Sequence, residues 1–220
     1  MKRAVIFVLL FGSGILFAFS GNANAQKKVA EFKELYGLEA KAQRTLYSRQ
    51  RRVERNNEMF ENSVVVKSDY SLYEYLADDK SRYVSRRMEG GKTSETESIF
   101  LGYFRYTRTD NGPWTKTDMR AVGDFGTGSG SSAGGGCAVR QLTVESVFIG
   151  NFPARLFEKI DISKHDDGLL VEEERTWFGE NGDLLQEESI TGTYSPRTMM
   201  IRTSVKYEYE PNIKIDAPIP

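Results

Sequence analysis

The segment that decides the fold is residues 198–209, TMMIRTSVKYEY, near the end of the chain. Apolar, aromatic or β-branched residues occupy every second position from Met199 to Tyr209, and polar residues occupy most of the positions between them. A period of two places alternate side chains on opposite faces of an extended strand. The segment is therefore predicted to be a β-strand with one face on a core and the other in water.

Working back from this strand, similar β-prone segments extend as far as Val64. They predict strands at 81–88, 95–108, 140–149, 153–162, 169–178 and 184–193. The strongest turn signals between them are Asp110-Asn111-Gly112 and Glu180-Asn181-Gly182-Asp183, because Asn and Gly tolerate the positive φ of short hairpins. We therefore expect a mainly β (α+β) fold with about 8–10 strands in one antiparallel up-and-down sheet.

Before the strands, residues 26–60 are predicted to form a long N-terminal helix. Its apolar residues recur at spacings near three and four, and they are Val29, Phe32, Leu35, Leu38, Ala42, Leu46 and Val53. Arg44, Arg51 and Arg55 fall on another face of this helix. That basic face is either solvated or a contact for anionic lipid headgroups.

A sheet of this width cannot stay flat, so we expect residues 61–220 to curl into a half-open barrel. Its concave face needs filling, and the helix supplies part of the filling while a small ligand supplies the rest. The candidate ligand-facing residues of the apolar face are Phe100, Phe104, Tyr106, Leu156, Trp177, Ile201, Val205 and Tyr207.

The N-terminus has the pattern of an export signal. Lys2 and Arg3 precede an apolar run over 4–19, and Ala23 and Ala25 provide the small residues that a signal peptidase accepts. The run is shorter than the roughly 20 residues that span a bilayer. We therefore predict that residues 1–25 are a cleaved signal peptide. The protein is then periplasmic or secreted, and it is not an integral membrane protein after cleavage.

The charge balance and the residue types argue against several functions. Lys and Arg number 30 against 31 Asp and Glu, which speaks against a nucleic-acid partner bound through phosphate neutralisation. A single histidine, His165, and a single cysteine, Cys137, exclude a Cys/His zinc site and a disulfide framework within the chain. We expect no catalytic residues, no metal site and no cofactor, and His165 is interpreted as a residue of a surface turn.

Residues 123–136, GDFGTGSGSSAGGG, form a Gly-rich loop. The loop lacks the Gly-Lys-Ser/Thr of a phosphate-binding loop. It is either a flexible surface loop or a lid over a cavity. Cys137, which follows it, is expected to be a free structural cysteine.

Two acidic runs, Glu172-Glu173-Glu174 and Glu187-Glu188, lie on neighbouring predicted strands. Paired carboxylates can hydrolyse glycosides. Alternation along a strand splits each run between two faces, however, and Arg175 and Lys159 are placed to neutralise them. A solvated acidic face is therefore the preferred interpretation.

The order of elements resembles that of the LolA-type lipoprotein carriers and the related periplasmic lipid-binding proteins. The resemblance covers about residues 60–218 and is one of pattern and spacing. The segments that carry it are Arg82, Arg86 and Arg87; Gly102-Tyr103-Phe104-Arg105-Tyr106; Trp114; Gly150-Asn151-Phe152-Pro153-Ala154; Trp177; Gly182-Asp183-Leu184-Leu185; and the final run from Tyr207 to Pro218. It implies a half-open antiparallel barrel, with helices over its mouth, that carries an acyl chain or a lipid.

Three functions from different classes remain open from the sequence, and the third is a hydrolase, which the scarcity of His, Cys and metal-ligand clusters argues against. The first is an exported carrier or binder of a lipid or other apolar ligand. The alternative is a protein-interaction or sensor module of the cell envelope that receives a peptide or protein partner. An apolar cavity favours the first function, and an exposed apolar surface over a closed core favours the second.

Overall fold

A computed structural model of the protein describes residues 26–46, 48–77, 79–121, 139–165, 168–194 and 199–220. The predicted signal peptide, the Gly-rich loop at 123–136 and Cys137 lie outside the described residues. His165 is the last residue of a strand rather than a turn residue.

The described chain forms one helix, α1, over 26–46, followed by strands and a short 3-10 helix at Met119–Ala121. The strands are β1 (Arg51–Glu61), β2 (Val64–Ala77), β3 (Lys80–Glu89), β4 (Lys92–Leu101), β5 (Phe104–Thr109), β6 (Thr115–Asp118), β7 (Val139–Ile149), β8 (Phe152–His165), β9 (Gly168–Gly179), β10 (Leu184–Tyr194) and β11 (Met199–Tyr209).

All strand pairs are antiparallel, and the strands form one sheet in the order β6-β5-β4-β3-β2-β1-β11-β10-β9-β8-β7. The first six strands therefore form one meander and the last five form another. Pairing of β1 with β11 joins the two meanders in the middle, while β6 and β7 form the two edges of an open sheet. The predicted mainly β, antiparallel architecture is confirmed, with 11 strands in place of the expected 8–10.

The predicted helix is too long. α1 ends at 46, and residues 51–61 form the central strand β1 instead of further helical turns. Charged and amide side chains occupy both faces of β1, so neither a period of two nor a period of 3.6 marks it in the sequence. β1 is extended because it pairs along its whole length with β2 on one side and with β11 on the other. Arg51 and Arg55 therefore lie on the sheet and not beside Arg44 on the helix.

The single strand predicted at 95–108 is two strands. β4 ends at Leu101 and β5 begins at Phe104, with Gly102 and Tyr103 in the turn between them. Gly102 has a φ of 56°, which a glycine adopts without steric cost. The other strong turn signals are confirmed, since Asp110 and Asn111 have φ values of 48° and 56° and Gly182 has a φ of 80°.

The sheet carries α1 on one face only. Phe157 and Phe178 are 1% exposed and meet edge to face, with ring centroids 5.9 Å apart, and Leu35 and Ala42 of α1 pack in the same cluster. We call this side the helix face. Directly paired residues share a face, and the row through Phe157 therefore shows which residues of other strands point the same way. That row comprises Phe157, Thr176, Glu187, Val205, Arg55, Ser71, Ser85 and Thr96.

The opposite side of the sheet is covered by the C-terminal segment 211–220 and is called here the tail face. Ile213 and Ile215 of that segment are buried against the directly paired Ile99 and Tyr106. The packing lies over the first meander, whereas α1 lies over the second. Two small cores on opposite faces therefore stabilise one sheet, and much of its centre is a single polar layer.

An ion-pair ladder crosses the tail face of this polar centre. It alternates in sign and comprises Glu208 on β11, Arg52 on β1, Glu74 on β2, Arg82 on β3, Glu97 on β4 and Arg108 on β5. Arg52 Nη2 lies 2.8 Å from Glu74 Oε1, and Arg82 Nε lies 2.7 Å from Glu97 Oε1. The side chains of both inner glutamates are 6% exposed. Paired charges thus occupy buried positions that apolar residues fill in most sheets.

Candidate functional site

The candidate site is the cavity between α1 and strands β9, β10 and β11, which we call the helix crevice. Its volume is about 600 Å³. It is lined by Glu39, Ala42, Gln43, Leu46, Phe178, Leu184, Glu187 and Tyr207. Five of the eight lining residues are apolar or aromatic, and the two carboxylates lie among them.

The apolar spacing on α1 brings the helix over the sheet. Leu35, Leu38, Ala42 and Leu46 recur at three or four residues and contact the core around Phe178. The turn that carries Gly182 packs under the helix, where a Cβ on Gly182 would lie 3.3 Å from Leu38 Cδ2. Lys41 Nζ donates a hydrogen bond of 2.5 Å to the carbonyl oxygen of Asn181. These contacts fix the roof of the crevice relative to its floor.

Two glutamates enter the crevice from different elements. Glu39 comes from α1, and Glu187 comes from β10, where its Oε2 accepts a 2.6 Å hydrogen bond from the Tyr207 hydroxyl. Burial raises the pKa of Tyr207 far above its usual range, and the hydrogen bond to Glu187 raises it further. Burial is also the main reason that the pKa of Glu39 lies above 4.5, with Glu174 and Glu187 adding to the rise against the attraction of Lys159. Negative charge in the crevice is therefore held at a free-energy cost.

We expect Glu39→Gln to stabilise the ligand-free protein at pH 7. Because the pKa of Glu39 is higher in the folded than in the unfolded chain, its ionisation opposes folding. The penalty is absent below the unfolded pKa of about 4.3 and complete above the raised folded pKa. The urea midpoint of the variant should exceed that of the parent at pH 7, and the difference should shrink as the pH is lowered to 4.

Glu172→Gln is the matched control for this comparison, because Glu172 is exposed on β9 and lines neither cavity under the helix. This substitution removes the same negative charge, but from a carboxylate that is exposed to solvent. Equal urea midpoints for the Glu39 variant and the parent at pH 7 would show that the crevice imposes no penalty on the Glu39 carboxylate.

A second cavity on the helix face, of about 300 Å³, adjoins the crevice. It shares Glu39 and Glu187 with the crevice and continues past Val205 and Thr203 to Arg55. Beyond Arg55 lies an open trough of about 400 Å³, which is lined by serine, threonine, asparagine, aspartate and arginine side chains together with Tyr70 and Tyr83. The helix face thus changes from apolar under α1 to polar over the first meander.

An opening of about 620 Å³ on the tail face is lined mainly by polar and charged side chains, several of which form salt bridges. Of its arginines, Arg175 pairs with Glu158 at 2.8 Å, and Arg202 Nη1 lies 3.9 Å from Glu58 Oε2. Its charges are therefore largely used within the sheet. No described helix covers this opening, and nine of its eleven lining residues are polar or charged, so it is a weaker candidate than the crevice.

The eight residues predicted for the apolar face do not lie on one face of the sheet. Phe100, Ile201, Val205 and Tyr207 are on the helix face. Phe104, Tyr106, Leu156 and Trp177 are on the tail face, where Phe104 and Tyr106 pack in the cluster under the C-terminal segment. Of the eight, Tyr207 lines the helix crevice and Val205 lines the adjoining cavity.

Neighbouring basic residues form ion pairs with carboxylates of the acidic runs. Lys159 forms an ion pair with Glu174, and Arg175 pairs with Glu158 and Glu173. Glu187 differs from this pattern because it points into the crevice under α1. Among the described residues, no three His, Cys, Asp or Glu side chains come together as metal ligands.

Most of the crevice residues were missed by the sequence-based search. Ala42 and Leu46 belong to the predicted apolar face of the helix, and Phe178 ends a predicted strand. Nothing in the sequence marked Glu39 and Gln43 as site residues, because polar residues are common on the exposed face of any helix. What joins them to Glu187 is the docking of α1 on β9–β11, which is a long-range contact.

No described helix of this chain is long and apolar enough to cross a membrane. Comparisons with known proteins found no matching family model, no matching curated protein and no matching solved structure.

Proposed function

We propose that this protein is an exported, non-catalytic binder or carrier of an apolar ligand, which it holds in the helix crevice. The observation that carries the proposal is the 600 Å³ cavity itself, with Ala42, Leu46, Phe178, Leu184 and Tyr207 in its wall. Ligand sites are concave and mainly apolar, with a few polar groups that fix orientation. A lipid or acyl chain suits this lining.

Burial of the chain supplies the binding energy in this proposal. Each methylene group removed from water contributes ~0.8 kcal/mol. The sheet curls into a half-open barrel with its helix face inward, and α1 closes the apolar end of the concave side. Export through the signal at 1–25 places the protein in the periplasm or outside the cell, where an apolar ligand needs a carrier to cross water.

Native mass spectrometry of protein exported to a bacterial periplasm tests the proposal directly. We expect a bound mass that disappears after organic extraction and that identifies the ligand class. A clean ligand-free mass from folded protein that also fails to bind an added apolar probe would overturn the proposal.

A crevice-filling substitution locates the site. Gln43 is exposed but lines the crevice, so Gln43→Trp should fill the space without disturbing the core. We expect it to weaken binding of the fluorescent probe N-phenyl-1-naphthylamine at least about tenfold, since the indole excludes the probe from several wall contacts.

Arg44→Trp is the control, because Arg44 is the next residue, is also exposed and does not line the crevice. It should bind the probe like the parent. If both tryptophan variants bind the probe as the parent does, the ligand site lies elsewhere on the protein.

One observation favours the alternative, a cell-envelope interaction module. β7 is an edge strand of 11 residues, and Phe148 and Phe152 beside its hairpin turn are 73% and 71% exposed. An unpaired edge and exposed aromatic side chains are typical of a surface that receives a peptide strand. A ligand-free protein in the two binding experiments above would make this edge the preferred site.

A further inference from the structure

We propose that the ligand of the helix crevice is a cationic amphiphile, with its apolar chain against Phe178 and Leu184 and its protonated amine between Glu39 and Glu187. This inference rests on the proposed function and names the chemical class of the ligand. It assigns a role to two carboxylates that form no ion pair within the described ranges.

The position of the two glutamates defines where a headgroup lies. Both line the crevice, and both also line the adjoining cavity that leads toward Arg55. They therefore stand at the boundary between the apolar wall under α1 and the polar surface beyond it. A chain that fills the apolar part ends in a headgroup at this boundary.

The charges at the boundary favour a cation. Glu39 makes no ion pair and no hydrogen bond with any other residue of the described ranges, whereas Glu187 accepts one from the neutral Tyr207 hydroxyl. Lys159 attracts Glu39, but it forms its ion pairs with Glu174 and Asp161.

Two arginines also line the adjoining cavity, but neither forms an ion pair with Glu39 or Glu187. Arg175 pairs with Glu158 and Glu173, and Arg55 is exposed to solvent on β1. Within the described ranges the two half-buried carboxylates therefore form no ion pair, although Lys159 attracts Glu39.

A half-buried carboxylate without a partner opposes folding, and burial accordingly raises the pKa of Glu39. A protonated amine in the same place removes this penalty and forms charge-assisted hydrogen bonds, which are among the stronger polar interactions in proteins. A carboxylate headgroup would add a third negative charge and be repelled. A hydroxyl headgroup would gain only ordinary hydrogen bonds.

Three ligands with the same chain and different headgroups test the inference. Decylamine, decanol and decanoate are titrated into the protein at pH 7 below their micelle concentrations and followed by calorimetry. We expect decylamine to bind about tenfold or more tightly than decanol, from the usual strength of hydrogen bonds to charged groups. Decanoate should bind most weakly.

The variants assign the effect to the two glutamates. Glu39→Gln with Glu187→Gln should lower the affinity for decylamine to about that for decanol, a loss of about tenfold, and leave decanol binding unchanged. Glu39→Gln alone serves the same purpose if the double variant does not fold. Glu172→Gln should leave the affinity for all three ligands as it is in the parent.

The outcomes separate this inference from the proposed function. Equal affinity for the three ligands, or tighter binding of decanoate, overturns the cationic class while the apolar site stands. Loss of the preference for decylamine in Glu172→Gln also overturns it, because the effect would then come from net charge. Absence of binding by all three ligands overturns the proposed function and, with it, this inference.

Discussion

Replacement of Phe157 by alanine should cost about 3–5 kcal/mol of the free energy of unfolding. Phe157 is 1% exposed and lies edge to face with Phe178 at the centre of the cluster between α1 and the sheet. The substitution removes most of an aromatic side chain from a packed core and leaves a cavity, and it also removes the ring pair. Because this cluster attaches the helix to the sheet, α1 should lose its packing first.

Urea denaturation of the purified protein, followed by circular dichroism, measures this effect. Phe152→Ala is the matched control, since Phe152 lies five residues earlier on the same strand and is 71% exposed. Its free energy of unfolding should stay within about 0.5 kcal/mol of the parent. A Phe157 variant as stable as the Phe152 variant would mean that α1 does not pack on β8.

Loss of Glu97 should have the second largest effect on stability. Glu97 Oε1 lies 2.7 Å from Arg82 Nε, and its Oε2 lies 2.8 Å from Arg108 Nε. Glu97→Ala leaves both guanidinium groups without this partner in the middle of the ladder. Breaking a buried pair costs about 3–5 kcal/mol, and we expect about 2–3 kcal/mol here because both arginines remain partly exposed.

Glu95→Ala is the control for the ladder. Glu95 is on the same strand and pairs with Arg86, whose side chain is 58% exposed. The loss of such a surface pair should cost no more than about 1 kcal/mol. If Glu95→Ala and Glu97→Ala destabilise equally, the ladder contributes no more than an ordinary surface ion pair.

The ladder also predicts a dependence on pH. Burial by itself raises the pKa of Glu97, but the hydrogen bonds from Arg82 and Arg108 outweigh it and hold the net pKa below 4.5. The contribution of Glu97 is therefore present above its unfolded pKa of about 4.3 and is lost as the pH falls through its lower folded pKa. The difference in urea midpoint between the parent and Glu97→Gln should narrow as the pH is lowered from 7 to 3. A constant difference over that range would contradict the depressed pKa.

The hairpin turns could be predicted from the sequence, whereas the central strand β1 could not. Asp110-Asn111 and Gly182 mark turns through their own backbone preferences, which act within a few residues. β1 has no such local mark, because its pairing strand β11 and the ion-pair partners of Arg52 and Glu58 lie far along the chain. Arg52 meets Glu74 and Glu208, which are 22 and 156 positions away.

The candidate site also contains residues that the sequence predicts and residues that it does not. Val205 and Tyr207 were found because they alternate on a strong strand, and their alternation is visible in the sequence. Leu156 and Trp177 were grouped with them on apolar character alone, although strand register places them on the opposite face of the sheet. Which face a strand presents depends on its pairing with its neighbours, and a shift of one residue reverses it.

The mainly β character, most of the strands and the turns between them could be predicted from the sequence, since these depend on short-range periodicity and on the preferences of Asn and Gly. Only the folded chain reveals that β1 lies between β2 and β11, that α1 and the C-terminal segment pack on opposite faces, and that Glu39 and Glu187 line the same crevice. The physical reason is that these features are contacts between distant parts of the chain, and their free energy is gained only when both partners are already in place.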